Sequence, residues 1–116
     1  MAGTPFSPSL RAGSFVFVSG KIGMDADSGG IPPGDVTAQT RQTLENIGKE
    51  LAKQNLSLEN VVKTTVFITD MRNYAAMNEE YVKHFPSKLP ARSCVAVSSL
   101  PRVEALVEIE AVAYTE

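Results

Sequence analysis

The sequence predicts an α+β fold in which one mixed β-sheet carries two α-helices on one of its faces. Two segments, at 36–54 and 74–85, repeat apolar residues at helical spacing. Strands are predicted where β-branched, aromatic or other apolar residues are dense, at 14–19, 61–69, 92–97 and 103–114. The resulting order is β-α-β-α-β-β, and a chain of 116 residues is expected to form a single domain over 1–116.

The N-terminal part predicts strands followed by a loop. Ser14 to Ser19 is a dense run of β-formers closed by Gly20, and an additional strand is expected near residues 6–10. Residues 25–34 are rich in glycine, proline and aspartate, which is typical of a loop with several turns.

Asp35 is expected to cap the first helix, which should run to about Gln54. Its predicted buried residues are Val36, Thr40, Thr43, Leu44, Ile47 and Leu51. Its predicted solvated face consists of Gln39, Arg41, Gln42, Glu45, Lys49 and Lys53.

The second helix follows the strand at 61–69 and is expected to be capped by Asp70 or Asn73. Its predicted inner-face residues are Tyr74, Met77, Tyr81 and Phe85. Pro86 should end this helix, and Pro90 should delay the next strand, because proline cannot continue a helix and disfavours helical geometry before it.

Composition and charge exclude several classes of function. The net charge is −2, and the lysines and arginines are spread along the chain, so nothing indicates a nucleic-acid-binding surface. Apolar runs are only a few residues long, and the residues before Phe6 leave no room for a signal peptide. We therefore expect a soluble cytoplasmic protein that contacts neither nucleic acid nor membrane.

Cys94 and His84 are the only cysteine and the only histidine. Zinc sites use several such ligands, so no metal is expected. A triad of the Ser-His-Asp or Cys-His kind would have to use His84, which is predicted to be an exposed residue late in the second helix.

The strand at 14–19 is apolar on both faces, since Phe15 and Phe17 alternate with Val16 and Val18. Two helices can cover only one face of the sheet. The other face is therefore expected to associate with further copies of the chain.

Charged residues in the last two strands are the candidates for chemistry. Alternation places Glu108 and Glu110 on the face of the final strand that the helices leave free. If the last two strands pair, Arg92 and Cys94 lie on that same face. Burying these charged side chains in a sheet costs free energy unless they are paired, are hydrated, or take part in binding or catalysis.

Two interpretations of this cluster stay open at this point. It could be a structural salt bridge at a subunit interface, with Cys94 acting as a small apolar residue. Alternatively, Arg92 holds a substrate carboxylate with its planar fork, and a desolvated glutamate moves protons to and from water. Cys94 has no adjacent base in the sequence, which makes a nucleophilic role less favoured.

Several ordered motifs resemble the Rid family (reactive intermediate/imine deaminase), also called the YjgF or L-PSP endoribonuclease family. The similar segments, spread between Phe6 and Ala113, are Ser19-Gly20, the strand at 62–67, Met77-Asn78, Pro90-Ala91-Arg92-Ser93-Cys94-Val95 and Val107-Glu108-Ile109-Glu110-Ala111.

The resemblance implies a chorismate-mutase-like fold assembled as a homotrimer, with a central barrel and clefts between subunits. It also implies hydrolysis of reactive 2-enamino and 2-imino acids to 2-keto acids and ammonia, without a cofactor. By the same resemblance Arg92 binds the substrate carboxylate and Glu108 positions or activates the attacking water. The residues expected to line the cleft are Ser19, Gly20, Asn78, Cys94 and Phe6.

The match departs from the family pattern at two positions. Phe6 stands where deaminating members commonly have tyrosine, and Lys21 stands where glutamine often follows Ser-Gly. The missing hydroxyl at position 6 keeps a second hypothesis open, a non-catalytic trimer that binds a small carboxylic acid or a protein partner. An endoribonuclease or translation inhibitor is a third, which the lack of a histidine pair and of a basic stripe disfavours.

Overall fold

The structure, a computed structural model, describes residues 3–116. The strands are β1 (Ser9–Ala12), β2 (Phe15–Ile22), β3 (Val61–Ile68), β4 (Ala91–Ala96) and β5 (Val107–Tyr114), and the helices are α1 (Val36–Ala52) and α2 (Tyr74–Val82). The predicted order of elements is confirmed. The N-terminal strand begins later than predicted, and the last strand begins at Val107 because residues 102–105 form a turn, closed by the hydrogen bond from the N–H of Ala105 to the carbonyl of Arg102.

The five strands form one mixed sheet in the order β1-β2-β5-β3-β4. Only β3 and β4 are parallel, and the other neighbours are antiparallel. The supposition that the last two strands pair is wrong, because β3 lies between β4 and β5. The registers of β4 and β5 against β3 decide which face each charged residue occupies.

The core lies between the sheet and the two helices. All six residues predicted for the inner face of α1 are buried, and Asp35 accepts hydrogen bonds from the backbone N–H groups of Thr37 and Ala38. The strands contribute the buried side chains of Val16, Val18, Val66, Ile68, Val107 and Ile109. No helix of the described residues has the length and apolar character needed to cross a membrane.

Within residues 3–116, no helix covers the face of the sheet that lies away from α1 and α2. Phe15, Phe17, Val95 and Tyr114 lie there and keep 40 to 46% of their surface exposed. Aromatic side chains at this level of exposure form a contiguous apolar surface, since Phe15 contacts both Phe17 and Tyr114.

Gln39 was predicted to be solvated and is instead fully buried. Its amide NH₂ donates to the carbonyls of Pro32 and Glu104, and its carbonyl oxygen accepts from the N–H of Leu106. These bonds satisfy the buried amide and fix two loops to α1, which is why a polar residue is tolerated there.

His84 was predicted to be exposed, but its side chain is only 15% exposed and lies beside Glu80. His84 Nε2 is 2.8 Å from Glu80 Oε2, and Arg41 of α1 donates to the same carboxylate. Burial alone would raise the pKa of Glu80, but the hydrogen bonds from His84 and Arg41 outweigh it and lower that pKa. The Arg41–Glu80 pair therefore joins α1 to α2, and His84 is held beside it by its hydrogen bond to Glu80.

Candidate active site

Arg92 lies on β4 opposite Thr64 of β3, on the face of the sheet that α2 covers. Its guanidinium is half-buried. The carbon Cζ is 4.9 Å from the ring centre of Tyr81 and 5.6 Å from that of Tyr74. Among residues 3–116, Arg92 forms no salt bridge, so its charge is available to an anion from outside the protomer.

Cys94 follows on the same face, two residues along β4. Burial raises the pKa of the Cys94 thiol, and the charge of Arg92 offsets part of that rise. The thiol is therefore held in its less nucleophilic form, which supports a role in lining the site.

Asn78 lies on α2 one turn from Tyr74 and one turn from Tyr81, the two residues that contact Arg92. The oxygen Oδ1 of Asn78 is buried and has no hydrogen-bond partner within residues 3–116. A buried amide oxygen without a partner can accept a hydrogen bond from a ligand or from a second copy of the chain.

Glu108 occupies the opposite face, on β5, where it pairs with Ile22 of β2 and Phe67 of β3. Burial raises the pKa of the Glu108 carboxyl, and the neighbouring charge of Glu110 raises it further. A carboxyl with a raised pKa gains and loses its proton closer to neutral pH than the carboxyl of an exposed glutamate does.

Gly20 is required by the position of Glu108. The strand register shifts at Ser19 and Gly20, and a Cβ atom added at Gly20 would overlap the Glu108 carboxylate. Glycine at this position therefore lets the carboxylate lie directly against the backbone of β2.

Ser19, at the register shift in β2, holds the N-terminal segment through two hydrogen bonds. Its hydroxyl donates to the carbonyl of Ser7 at 2.7 Å, and its N–H donates to the carbonyl of Pro8 at 3.0 Å. Phe6, in the attached segment, lines an open cavity of about 380 Å³ together with Ser19 and Glu110. A second cavity of about 510 Å³ is lined by Phe6, Gly20 and Lys21, among others.

The predicted site residues thus form two groups on opposite faces of the sheet. Arg92, Cys94 and Asn78 lie towards α2, whereas Glu108 lies on the uncovered face. The prediction that Arg92 and Glu108 share a face within one protomer is wrong, because it assumed that β4 pairs directly with β5. With β3 between them, Arg92 is level with Ala111, which faces the core, and not with either glutamate.

Tyr74 lies at this site, although helical spacing predicted that it would be buried in the core. It was predicted to pack in the core, yet it is 41% exposed and its hydroxyl accepts a hydrogen bond from Arg92 Nη2 at 3.2 Å. Helical spacing shows that Tyr74 and Tyr81 share a face, but only the position of β4 shows that this face meets an arginine.

The potential ligands for a metal are sparse in this region. Within residues 3–116, no group of three or more histidine, cysteine, aspartate and glutamate side chains is arranged to hold a metal ion. Lys21 faces α1 and pairs with Glu50 at 3.7 Å, so it lies outside the group around Arg92.

Comparison with known proteins decides the family. The family model described as endoribonuclease L-PSP matches residues 1–115. The chain belongs to this family. The Rid resemblance is therefore confirmed, and the α+β architecture with two helices on a mixed sheet is the architecture of solved members.

Three relatives show how similar the family members are. A RutC family protein of Pyrococcus horikoshii is 46% identical over 112 residues, which are 97% of this chain and 88% of the relative. The 2-iminobutanoate/2-iminopropanoate deaminase of Mus musculus is 39% identical over 94% of this chain and 80% of its own length. The structure of E. coli TdcF with bound serine has a TM-score of 0.90 and 39% identity, and the match covers 99% of this chain and 91% of TdcF.

Proposed function

We propose that this protein hydrolyses reactive 2-imino and 2-enamino acids to 2-keto acids and ammonia. The observation that carries the proposal is Arg92, a half-buried guanidinium that is stacked on two tyrosines and has no carboxylate partner within residues 3–116. Membership in the L-PSP family and the mouse relative named as a deaminase support it. The serine bound to TdcF is also a small molecule with a carboxylate.

In the proposed reaction Arg92 holds the substrate carboxylate through two charge-assisted hydrogen bonds. Water adds to the carbon of the C=N bond, and Glu108 takes one proton from the water and passes it to the nitrogen. The hydroxyl proton of the resulting carbinolamine is then transferred to the nitrogen through Glu108, and the C–N bond breaks as the C=O bond forms, releasing ammonia. Because an imine is already electrophilic, the scheme needs orientation and one proton shuttle, and it uses no cofactor.

A raised pKa suits Glu108 to this shuttle, because a carboxyl that titrates closer to neutral pH can both accept and return a proton. Ser19, Gly20 and Phe6 line the site beside Glu108, and Asn78 and Cys94 line it beside Arg92. Cys94 forms no covalent bond to the substrate in this scheme.

The separation of Arg92 from Glu108 leads us to propose that each site forms between two copies of the chain. Neither face of one protomer holds both residues. The exposed aromatic residues of the uncovered face support a homotrimer in which the three sheets enclose a central barrel. In that assembly Arg92 of one copy meets Glu108 of the next.

A subunit-mixing experiment tests the shared site. Arg92→Ala and Glu108→Gln proteins should each be inactive, and trimers assembled from an equal mixture should regain activity. In a random mixture about a quarter of the sites combine an intact Arg92 with an intact Glu108. Keto-acid release is measured while an amino-acid oxidase generates the imine in the same solution.

The same mixture also shows whether the site lies within one protomer. In that case every chain carries one defect, and the co-assembled protein stays as inactive as its parents. Mixing the two variants without unfolding and reassembly is the matched control, since intact homotrimers cannot exchange the missing residue.

A non-catalytic protein that binds small carboxylates is the second candidate, and Phe6 is the observation that favours it. Its ring is 54% exposed at the edge of the cavity near Ser19 and provides no hydroxyl to a ligand. If the lineage has lost catalysis through this position, Phe6→Tyr should increase imine hydrolysis about tenfold or more, while the affinity for a keto acid changes little.

The result of the Phe6→Tyr comparison separates the two candidates. Wild-type hydrolysis well above the uncatalysed rate, with a change of less than about twofold in the variant, supports the deaminase. Val103→Thr, which adds a hydroxyl to a 94% exposed side chain outside this cavity, controls for unspecific effects of an added hydroxyl.

A further inference from the structure

We infer that Tyr74 is a positioning residue for Arg92, and that its hydroxyl sets the orientation in which the guanidinium meets a carboxylate. This inference rests on the proposed role of Arg92 in binding the substrate. It assigns a function to a side chain whose helical spacing indicates only core packing.

The contact between Tyr74 and Arg92 is a directed hydrogen bond. Arg92 Nη2 donates to the Tyr74 hydroxyl oxygen at 3.2 Å, and the ring of Tyr74 lies 5.6 Å from Cζ. Within residues 3–116 this hydroxyl has no other hydrogen-bond partner. The Tyr74 side chain is 41% exposed, so core packing does not account for its position.

Tyr81 makes the complementary contact and has a different role. It is buried, its ring lies 4.9 Å from Cζ of Arg92, and its hydroxyl shares a 2.6 Å hydrogen bond with Thr64. That bond fixes the ring to β3, and within residues 3–116 no hydrogen bond joins the Tyr81 hydroxyl to the guanidinium. Tyr81 therefore contacts the guanidinium through its ring, whereas Tyr74 also holds it through a hydrogen bond.

The weaker contact of Arg92 Nη1 with the sulfur of Met77, at 3.9 Å, adds to this restriction. With one N–H on each terminal nitrogen directed at α2, the remaining N–H groups are available as a fork for a carboxylate. A carboxylate that meets a fixed fork does not have to order a flexible side chain, which increases its affinity.

Removing only the hydroxyl tests this role. Tyr74→Phe keeps the ring over Arg92, and we expect its dissociation constant for 2-oxobutanoate, measured by calorimetry, to rise about three- to tenfold. For imine hydrolysis the KM should rise by a similar factor, while kcat stays within about twofold of wild type. Ser87→Ala, which removes an exposed hydroxyl that follows α2, is the control and should leave both constants unchanged.

Two further measurements distinguish positioning from a general structural effect. NMR relaxation of the Arg92 Nε–H group should show greater mobility in Tyr74→Phe than in wild type. In an Arg92→Lys background, the Tyr74→Phe change should have no further effect on 2-oxobutanoate binding, because the fork that it orients is gone.

Unchanged mobility of Arg92 in Tyr74→Phe would overturn the inference and leave the proposed function intact. An equal loss of affinity in the Arg92→Lys background would also overturn it, since the hydroxyl would then act without Arg92. If Arg92 becomes mobile but wild-type protein binds no 2-oxobutanoate, the carboxylate-binding function itself is wrong and the inference falls with it.

Discussion

Arg92→Ala is expected to reduce imine hydrolysis at least about 100-fold, because the substrate loses the guanidinium that is proposed to bind its carboxylate. The loss should appear mainly as a higher KM, and binding of 2-oxobutanoate should become undetectable. The measurement is keto-acid release from several parent amino acids, each converted to its imine by an amino-acid oxidase in the assay.

Two further variants show whether the loss of activity comes from the missing fork of Arg92. Arg92→Lys keeps the charge but has no planar fork, so intermediate activity is expected. Arg72→Ala removes an exposed arginine that pairs with Asp70, and it should behave as wild type. An Arg92→Ala protein that is folded, assembled as wild type is, and fully active would exclude Arg92 as the residue that binds the carboxylate.

Glu108→Gln is expected to lower hydrolysis about 100-fold or more, because the glutamine amide cannot take a proton from water. The stability of this variant is not expected to fall with its activity. At about pH 7 the variant should be at least as stable as wild type, since burial and Glu110 make the ionised Glu108 carboxylate unfavourable in the folded state.

The sign of this pH dependence follows from the raised pKa of Glu108. Folded protein binds the proton more tightly than unfolded protein, so the ionised carboxylate costs folding free energy above its ordinary pKa. That cost disappears as the pH falls through the raised pKa. The urea midpoint of Glu108→Gln should therefore exceed that of wild type near pH 7 and approach it near about pH 4.

Glu110→Gln is the informative companion of Glu108→Gln. It keeps the proposed proton shuttle but removes the neighbouring charge, and the acid limb of the pH–rate profile should move to lower pH. An acid limb that stays in place would mean that Glu108 does not control the rate. A less stable Glu108→Gln protein at neutral pH would contradict the electrostatic argument.

Much of the fold could be predicted because the signals for it are local. Asp35 caps α1 through its own side chain, and the six apolar and threonine positions that follow share one face through helical geometry alone. The uncovered apolar face was also predictable, since strand alternation separates Phe15 and Phe17 from Val16 and Val18.

The errors occurred where a residue depends on partners distant in the sequence. Gln39 has the spacing of a solvated residue, but three backbone groups from separate loops satisfy its amide in the interior. Tyr74 has the spacing of a core residue, but the position of Arg92 leaves it partly exposed. Neither set of partners is visible in the neighbouring sequence.

By itself the sequence determined the elements, the buried side of each helix and the residues that carry charge in β4 and β5. Alternation along one strand is a property of the backbone, so it can be derived from a few consecutive residues. The relation between two strands depends on strand order and register, which packing and hydrogen bonds across the whole sheet decide. The registers of β4 and β5 against β3 therefore placed Arg92 and Glu108 on opposite faces, and only the tertiary structure could show it.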